Sequence, residues 1–413
     1  MPTRRRGGGS GRRALVALLG AALLVAGCAS ESSGSDDPAA AAWPRDHSTH
    51  DQGAGAESEQ AAAAPAAVPL RPGERLLTIR LPGGPYTPDA PGGGLDDYRC
   101  FLVDPGLTER TFVTGSNVLP GNPAVVHHAI LYVVAPDQVA AVERHDAATS
   151  GRGWTCFGGG ALPNRSGSAV QDLDSAPWLA GWAPGGGETV SRGGVGKLLE
   201  PGSRIVLQLH YNLREGTDPD DTAVRLRTMP GTADLEPLQT MLLVAPVELP
   251  CTPDESGPLC DRSRSVLDLV TRFGESSGRT VSGLQLLCDG SFIAPRPGPT
   301  QRCDRRVDTA MDVRAVAGHM HLLGRSITVE RIRGGTAKTL LDRPVWDFDD
   351  QGADPLDRPV RVRPGDSLRV TCTHDASLRE VVPELADEQP RYVTWGEGTS
   401  DEMCLGTVLY TRA

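Results

Sequence analysis

The apolar residues of this chain come in short bursts. From about Arg75 onward they recur as Leu76–Leu81, Ala124–Val134, Ile205–Leu213, Val224–Leu226, Met241–Val244, Val313–Val316, Ile327–Ile332, Leu368–Cys372 and Leu405–Tyr410, with Pro, Gly and Asp clusters between them. Short alternating or continuous apolar runs bounded by turn residues predict strands, and many of them in series predict an all-β chain rather than βαβ units. Two stretches carry helical spacing instead. Gln138–Ala147 follows a candidate cap at Asp137, and Ser263–Phe273 sets apolar residues three and four apart. Both read as excursions from a β framework. The chain after residue 72 is too long for one compact sandwich, and Pro230-Gly231 and Pro237 punctuate it near 235. The expectation is two tandem antiparallel β-sandwich domains of jelly-roll type, over 73–235 and 236–413.

The amino-terminal pattern is different. Arg4, Arg5, Arg6, Arg12 and Arg13 precede a 13-residue apolar run, Ala14–Ala26. That run is short for a bilayer span, which takes about 20 residues, and suits a signal segment. It ends in Leu24-Val25-Ala26-Gly27-Cys28. Small residues before a cysteine resemble a bacterial lipobox, which implies cleavage after residue 27 and lipidation of Cys28. The expected location is the extracytoplasmic face of a bacterial membrane, by either the general or the twin-arginine export route. Residues 28–72 are Ala, Ser, Pro, Gly and Asp with almost no large apolar side chain, so they predict a disordered tether. His47 and His50 within it read as solvated linker residues.

Composition narrows the class. The formal net charge is −11, from 41 Lys+Arg and 52 Asp+Glu, which gives no support to nucleic-acid binding. With 49 Gly and 34 Pro, a helical bundle is disfavoured. No Gly-x-Ser-x-Gly is present, and the glycine runs at 185–187 and 193–196 lack a Walker Lys-Ser/Thr. Asp347-Phe348-Asp349-Asp350 reads as a solvated acidic turn rather than a calcium site. Nine cysteines suit an oxidising compartment. Setting Cys28 aside, Cys100, Cys156, Cys251, Cys260, Cys288, Cys303, Cys372 and Cys404 allow about a hundred pairings. Close spacing favours Cys251 with Cys260 and Cys288 with Cys303.

The histidines carry the chemistry. Five of the nine sit in three apolar contexts: His127-His128 in VVHHAILYVV, His210 in IVLQLHYNL, and His319-Met320-His321 in AVAGHMHLLG. His319 and His321 share one face of a strand, a ready two-nitrogen clamp. His127 and His128 would point to opposite faces unless the backbone twists or bulges between them. Met403, in Thr399-Ser400-Asp401-Glu402-Met403-Cys404, adds a thioether. Two imidazoles and one thioether favour Cu(I) over zinc or magnesium.

This ordered set resembles the type II copper, ascorbate-dependent monooxygenases, the family of peptidylglycine α-hydroxylating and dopamine β-monooxygenase. The likeness covers about 100 to 413. It runs through the His127-His128 pair, Gln208-Leu209-His210-Tyr211, His-x-His followed by Leu323-Gly324, and the closing Asp-Glu-Met-Cys. It implies two coppers per chain, on two β-sandwich domains facing each other across an open cleft. His127, His128 and His210 would hold the electron-transfer copper. His319, His321 and Met403 would hold the copper that binds O2. Ascorbate or another one-electron reductant would load both, and a C–H bond of the substrate would be hydroxylated with one oxygen atom going to water. The family also implies a bridged Cys404, with Cys372 the favoured partner.

The resemblance stops short of the substrate site. Peptide-amidating members bind a substrate carboxylate through an Arg two positions before His-x-His and an Asn and a Tyr after Met-Cys. Here those positions are Ala317, Leu405 and Thr407. A glycine-extended peptide is therefore disfavoured, and the expected substrate is an unidentified small or peptidic molecule. Residues 250–305 have no counterpart in the family pattern. The expectation is a monomeric, lipid-anchored copper monooxygenase; the alternative is a copper-binding or copper-delivery lipoprotein without oxygenase activity.

Overall fold

Short strands broken by Pro and Gly fold here into stacked sheets that are antiparallel except where Glu236–Pro237 joins Val195–Leu199. The computed structural model describes residues 68–90, 95–156, 162, 176–184, 186–289, 291, 293–348, 350–386 and 388–413. The signal segment, Cys28, His47, His50, Gly185 and Asp349 lie outside the described residues.

Residues up to Pro237 contribute two sheets. One runs Arg75–Arg80, Ala223–Pro230, Thr111–Leu119, Val195–Leu199 and Glu236–Pro237, with Thr189–Val190 also on Thr111–Leu119. The other runs Trp154–Thr155, Asp96–Val103, Arg204–Asn212, Val126–Val134 and Trp178–Trp182. Side chains from both, among them Ile79, Phe101, Val113, Leu131, Leu207 and Leu226, make one apolar cluster between them. Each such side chain, once buried, contributes about 1.5–3 kcal/mol.

Residues after Leu238 contribute a second pair. Gln239–Val244, Leu405–Arg412, Met311–His319 and Asp354–Val362 form one sheet; Thr300–Arg306, Ser367–His374, Gly324–Arg333 and Thr336–Arg343 form the other. Leu243, Val313, Val329, Val370 and Val408 pack between them. The all-β, sandwich-like expectation stands. The described residues cluster as one compact unit.

Several local expectations change. Residues 68–72 belong to the folded body, because the buried Arg227 donates to the carbonyls of Val68 and Pro69. The first helix is Val139–Ala147, and its N-cap is Gln138 with no side-chain bond, not Asp137. The second is Arg262–Phe273, capped by the Asp261 side chain. A third, Glu275–Asp289, was not expected. Among the described residues there are four disulfides: Cys100–Cys156, Cys251–Cys260, Cys288–Cys303 and Cys372–Cys404.

Candidate functional site

The first histidine set is built by three neighbouring strands. Tyr98, His210 and His128 stand in register across Asp96–Val103, Arg204–Asn212 and Val126–Val134. The last of these pairings slips between Val126 and His128, so His127 is the irregular residue. A bulge at that point frees the second imidazole from the alternation that would send it to the opposite face. The Nδ1 atom of His210 lies 3.1 Å from that of His127 and 3.2 Å from that of His128. One ligand atom from each of the three falls within 4.8 Å of the others. Two nitrogens bound to one ion at about 2.0 Å stand about 2.8–3.5 Å apart at ordinary bond angles. The three imidazoles therefore fit a shared metal ion.

Surrounding groups fix the rings. His210 Nε2–H donates to Asp96 Oδ1 at 2.7 Å, which leaves the Nδ1 lone pair for a metal. The Thr399 hydroxyl donates to the same oxygen at 2.8 Å. Tyr98 is stacked on His210 with ring centres 4.0 Å apart. Its hydroxyl donates to the Glu397 carbonyl.

The second set stands where two paired strands end. His319 closes Met311–His319 and pairs with Leu405, which opens Leu405–Arg412. Ala317 pairs with Thr407 on the same ladder. The rings of His319 and His321 lie 5.2 Å apart, nearly perpendicular. His319 Nδ1–H donates to Gln351 Oε1 and His321 Nδ1–H to the Asp401 carbonyl, so each keeps Nε2 for a metal. Met403 is 8% exposed. The buried Glu402 ties this segment together: its Oε2 accepts from the backbone N–H of both His321 and Met403, and its Oε1 from that of Leu323. His374 Nε2 faces the same carboxylate at 3.4 Å. The chemistry of the donors, two imidazole Nε2 atoms and a thioether whose backbone shares the Glu402 carboxylate with His321, suits copper better than a harder ion.

Burial sets the charge state. It pushes His127 down to about 4, with the nearby His321 adding to the effect. It does the same to His319, also to about 4, and holds His128 and His210 well below the usual imidazole range. These four rings are neutral at pH 7, the form that ligates a metal.

The two sets meet. His127, His210 and His321 line one cavity of about 10 Å3 with Leu322, Phe348, Glu397 and Thr399. Phe348 is stacked on His127 at 5.5 Å, while Gln351 of the same loop holds His319. Phe348 and Gln351, from one stretch of the second half, thus each touch a histidine of a different set. Sequence reasoning passed over Asp96, Tyr98, Phe348 and Gln351. Phe348 lay in an acidic turn, and the other three carried no spacing signal.

Residues 300–413 match the family described as copper type II ascorbate-dependent monooxygenase, C-terminal domain. Among solved structures, the major capsid protein P2 of bacteriophage PM2 is similar at 9% identity, over 82% of this chain and 97% of that one, with a TM-score of 0.30. An allantoicase is similar at 12% identity, over 73% of this chain and 86% of that one, with a TM-score of 0.17. Likenesses that weak carry no argument.

Proposed function

Because the chain carries a C-terminal domain of the copper type II ascorbate-dependent monooxygenase family, we propose that it hydroxylates a C–H bond of a small or peptidic substrate with O2 and a one-electron reductant such as ascorbate. The observation that carries this reading is the convergence of three neutral imidazoles beside a second, chemically different donor set. His127, His128 and His210 would hold one copper; His319, His321 and Met403 would hold the other. Bound copper would supply electron storage at the first site and O2 activation at the second. The chain's own residues do the rest. Asp96, Gln351 and the Asp401 carbonyl each keep a proton on the non-ligating nitrogen of His210, His319 and His321. Phe348 stacks on His127 and covers one face of its ring. Ala317, Leu405 and Thr407 offer no cation for a substrate carboxylate, so the substrate is of another class.

The reading includes export and lipid anchoring at Cys28. Cys28→Ala would release the protein from membranes. The alternative, copper holding without oxygenation, draws on the small size of the cavity. Two measurements separate the readings: copper per chain, and O2 uptake with ascorbate above the free-copper background. Two coppers with substrate-dependent uptake support the enzyme. Two coppers without uptake, across a broad set of candidate substrates, support the holding protein. Fewer than two overturn the two-site assignment.

A further inference from the structure

Residues 250–305 form two helices, Arg262–Phe273 and Glu275–Asp289, joined at Gly274, whose φ of 82° ends the first. The pair is fastened at both ends. Cys251–Cys260 closes the approach, and Cys288–Cys303 ties the exit to the strand Thr300–Arg306. The buried Glu248 accepts from Arg262, Gln285 and the Tyr392 hydroxyl, locking both helices to the sheet strand beside them.

The last two residues of the first helix each touch a neighbour of one histidine set. Arg272 makes a fork on Asp401, with Nη2 at 2.6 Å from Oδ1 and Nη1 at 3.1 Å from Oδ2. Asp401 is the residue whose carbonyl accepts from His321 Nδ1–H. Phe273 meets Tyr98 edge-on, ring centres 5.9 Å apart, and Tyr98 lies flat on His210. The fit has no slack. A Cβ added at Gly398 would stand 2.7 Å from Arg272 Nη1 and 2.9 Å from Phe273 Cζ.

We infer that this helical pair is a brace that positions both copper sites at once. Arg272 fixes the His321 imidazole through Asp401, and Phe273 fixes the His210 imidazole through Tyr98. The inference rests on the copper reading. Both are positioning residues, acting through a neighbour that touches a ligand. A guanidinium is needed at 272 because only its planar fork engages both carboxylate oxygens; an ammonium is a point charge.

The test uses the exported chain loaded with Cu(II), and reads copper affinity and the electron paramagnetic resonance of each site. His127→Ala and His319→Ala backgrounds leave one site at a time. Arg272→Gln is expected to shift the resonance parameters of the His319/His321/Met403 site and weaken its affinity about tenfold, within the range seen when a ligand's outer partner is lost. Its effect on the three-histidine site should be smaller, reaching it only through Phe273, on whose ring Arg272 stacks at 4.8 Å. Phe273→Leu should do the reverse. Arg272→Lys keeps the charge without the fork and serves where the Gln variant does not fold; it should show the same shift, smaller. A lower Tm with both spectra unmoved overturns the brace and leaves a structural staple. A parent protein that binds no copper overturns the copper reading and the brace with it.

Discussion

His127 and His128 show how one irregular residue changes the chemistry a strand can do. In a regular strand one of them would be lost to the opposite face, and the slip between Val126 and His128 removes that conflict. Adjacent histidines on one ion required such a twist or bulge; nothing in the sequence said which residue would be displaced. Asp96 is the other residue-scale finding. Its carboxylate orients His210, and Asp96→Asn is expected to lower copper affinity at that site 10–100-fold. Competition with a chelator of known affinity checks this, and an unchanged value would remove Asp96 from the site. The depressed imidazoles have a consequence for the metal-free protein. His127 and His319 ionise near 4 when folded, against 6.5 ordinarily. As pH falls through that window the unfolded chain takes up protons that the folded one refuses, so their contribution to stability is complete above about 6.5 and lost toward 4. Metal-free His319→Asn should therefore lose less Tm between pH 7 and 5 than the parent. Equal losses would mean that His319 titrates normally in the fold.

At the scale of elements, apolar rhythm found the strands that have it. Thr300–Arg306 has none: its inward positions are Gln301, Cys303 and Arg305, so a buried strand reads as a polar segment. The helix Glu275–Asp289 was hidden by Gly278, Gly283 and three serines, all weak helix formers whose cost the packing offsets. The metal-ligand candidates were more legible, because histidine inside an apolar run is unusual whatever the register. Their supports were not, since Asp96, Gln351 and Arg272 meet their partners only after distant segments fold together. One covalent element links the sheets of the second half. Cys372–Cys404 joins the strand Ser367–His374 to the residue after Met403, closing a separation of 32 residues. Replacing both cysteines with serine should cost about 3–4 kcal/mol in urea unfolding. It should also weaken the Met403 site more than the three-histidine site. Equal weakening would show that the bridge does not steady Met403 in particular.

Over the whole molecule, the two histidine sets are held against each other rather than apart. Asn212 donates to Thr399, Arg192 to the Leu356 carbonyl, and Phe348 covers His127, all joining the earlier part of the chain to the later. Phe348→Ala should uncover His127 and speed removal of the first copper by a chelator about tenfold, roughly the effect of about 1.4 kcal/mol on a barrier. Stopped-flow absorbance would follow it, and an unchanged rate would show that Phe348 does not control entry.

The cavity between the sets, about 10 Å3, has room for about one molecule the size of water. On the proposed function, a substrate larger than that reaches the cavity only as the segment carrying Phe348 moves. Where that displacement is slower than bond cleavage, turnover answers to the friction of the solvent. Sucrose would then lower kcat in proportion to viscosity, while deuterium in the scissile bond would leave kcat unchanged.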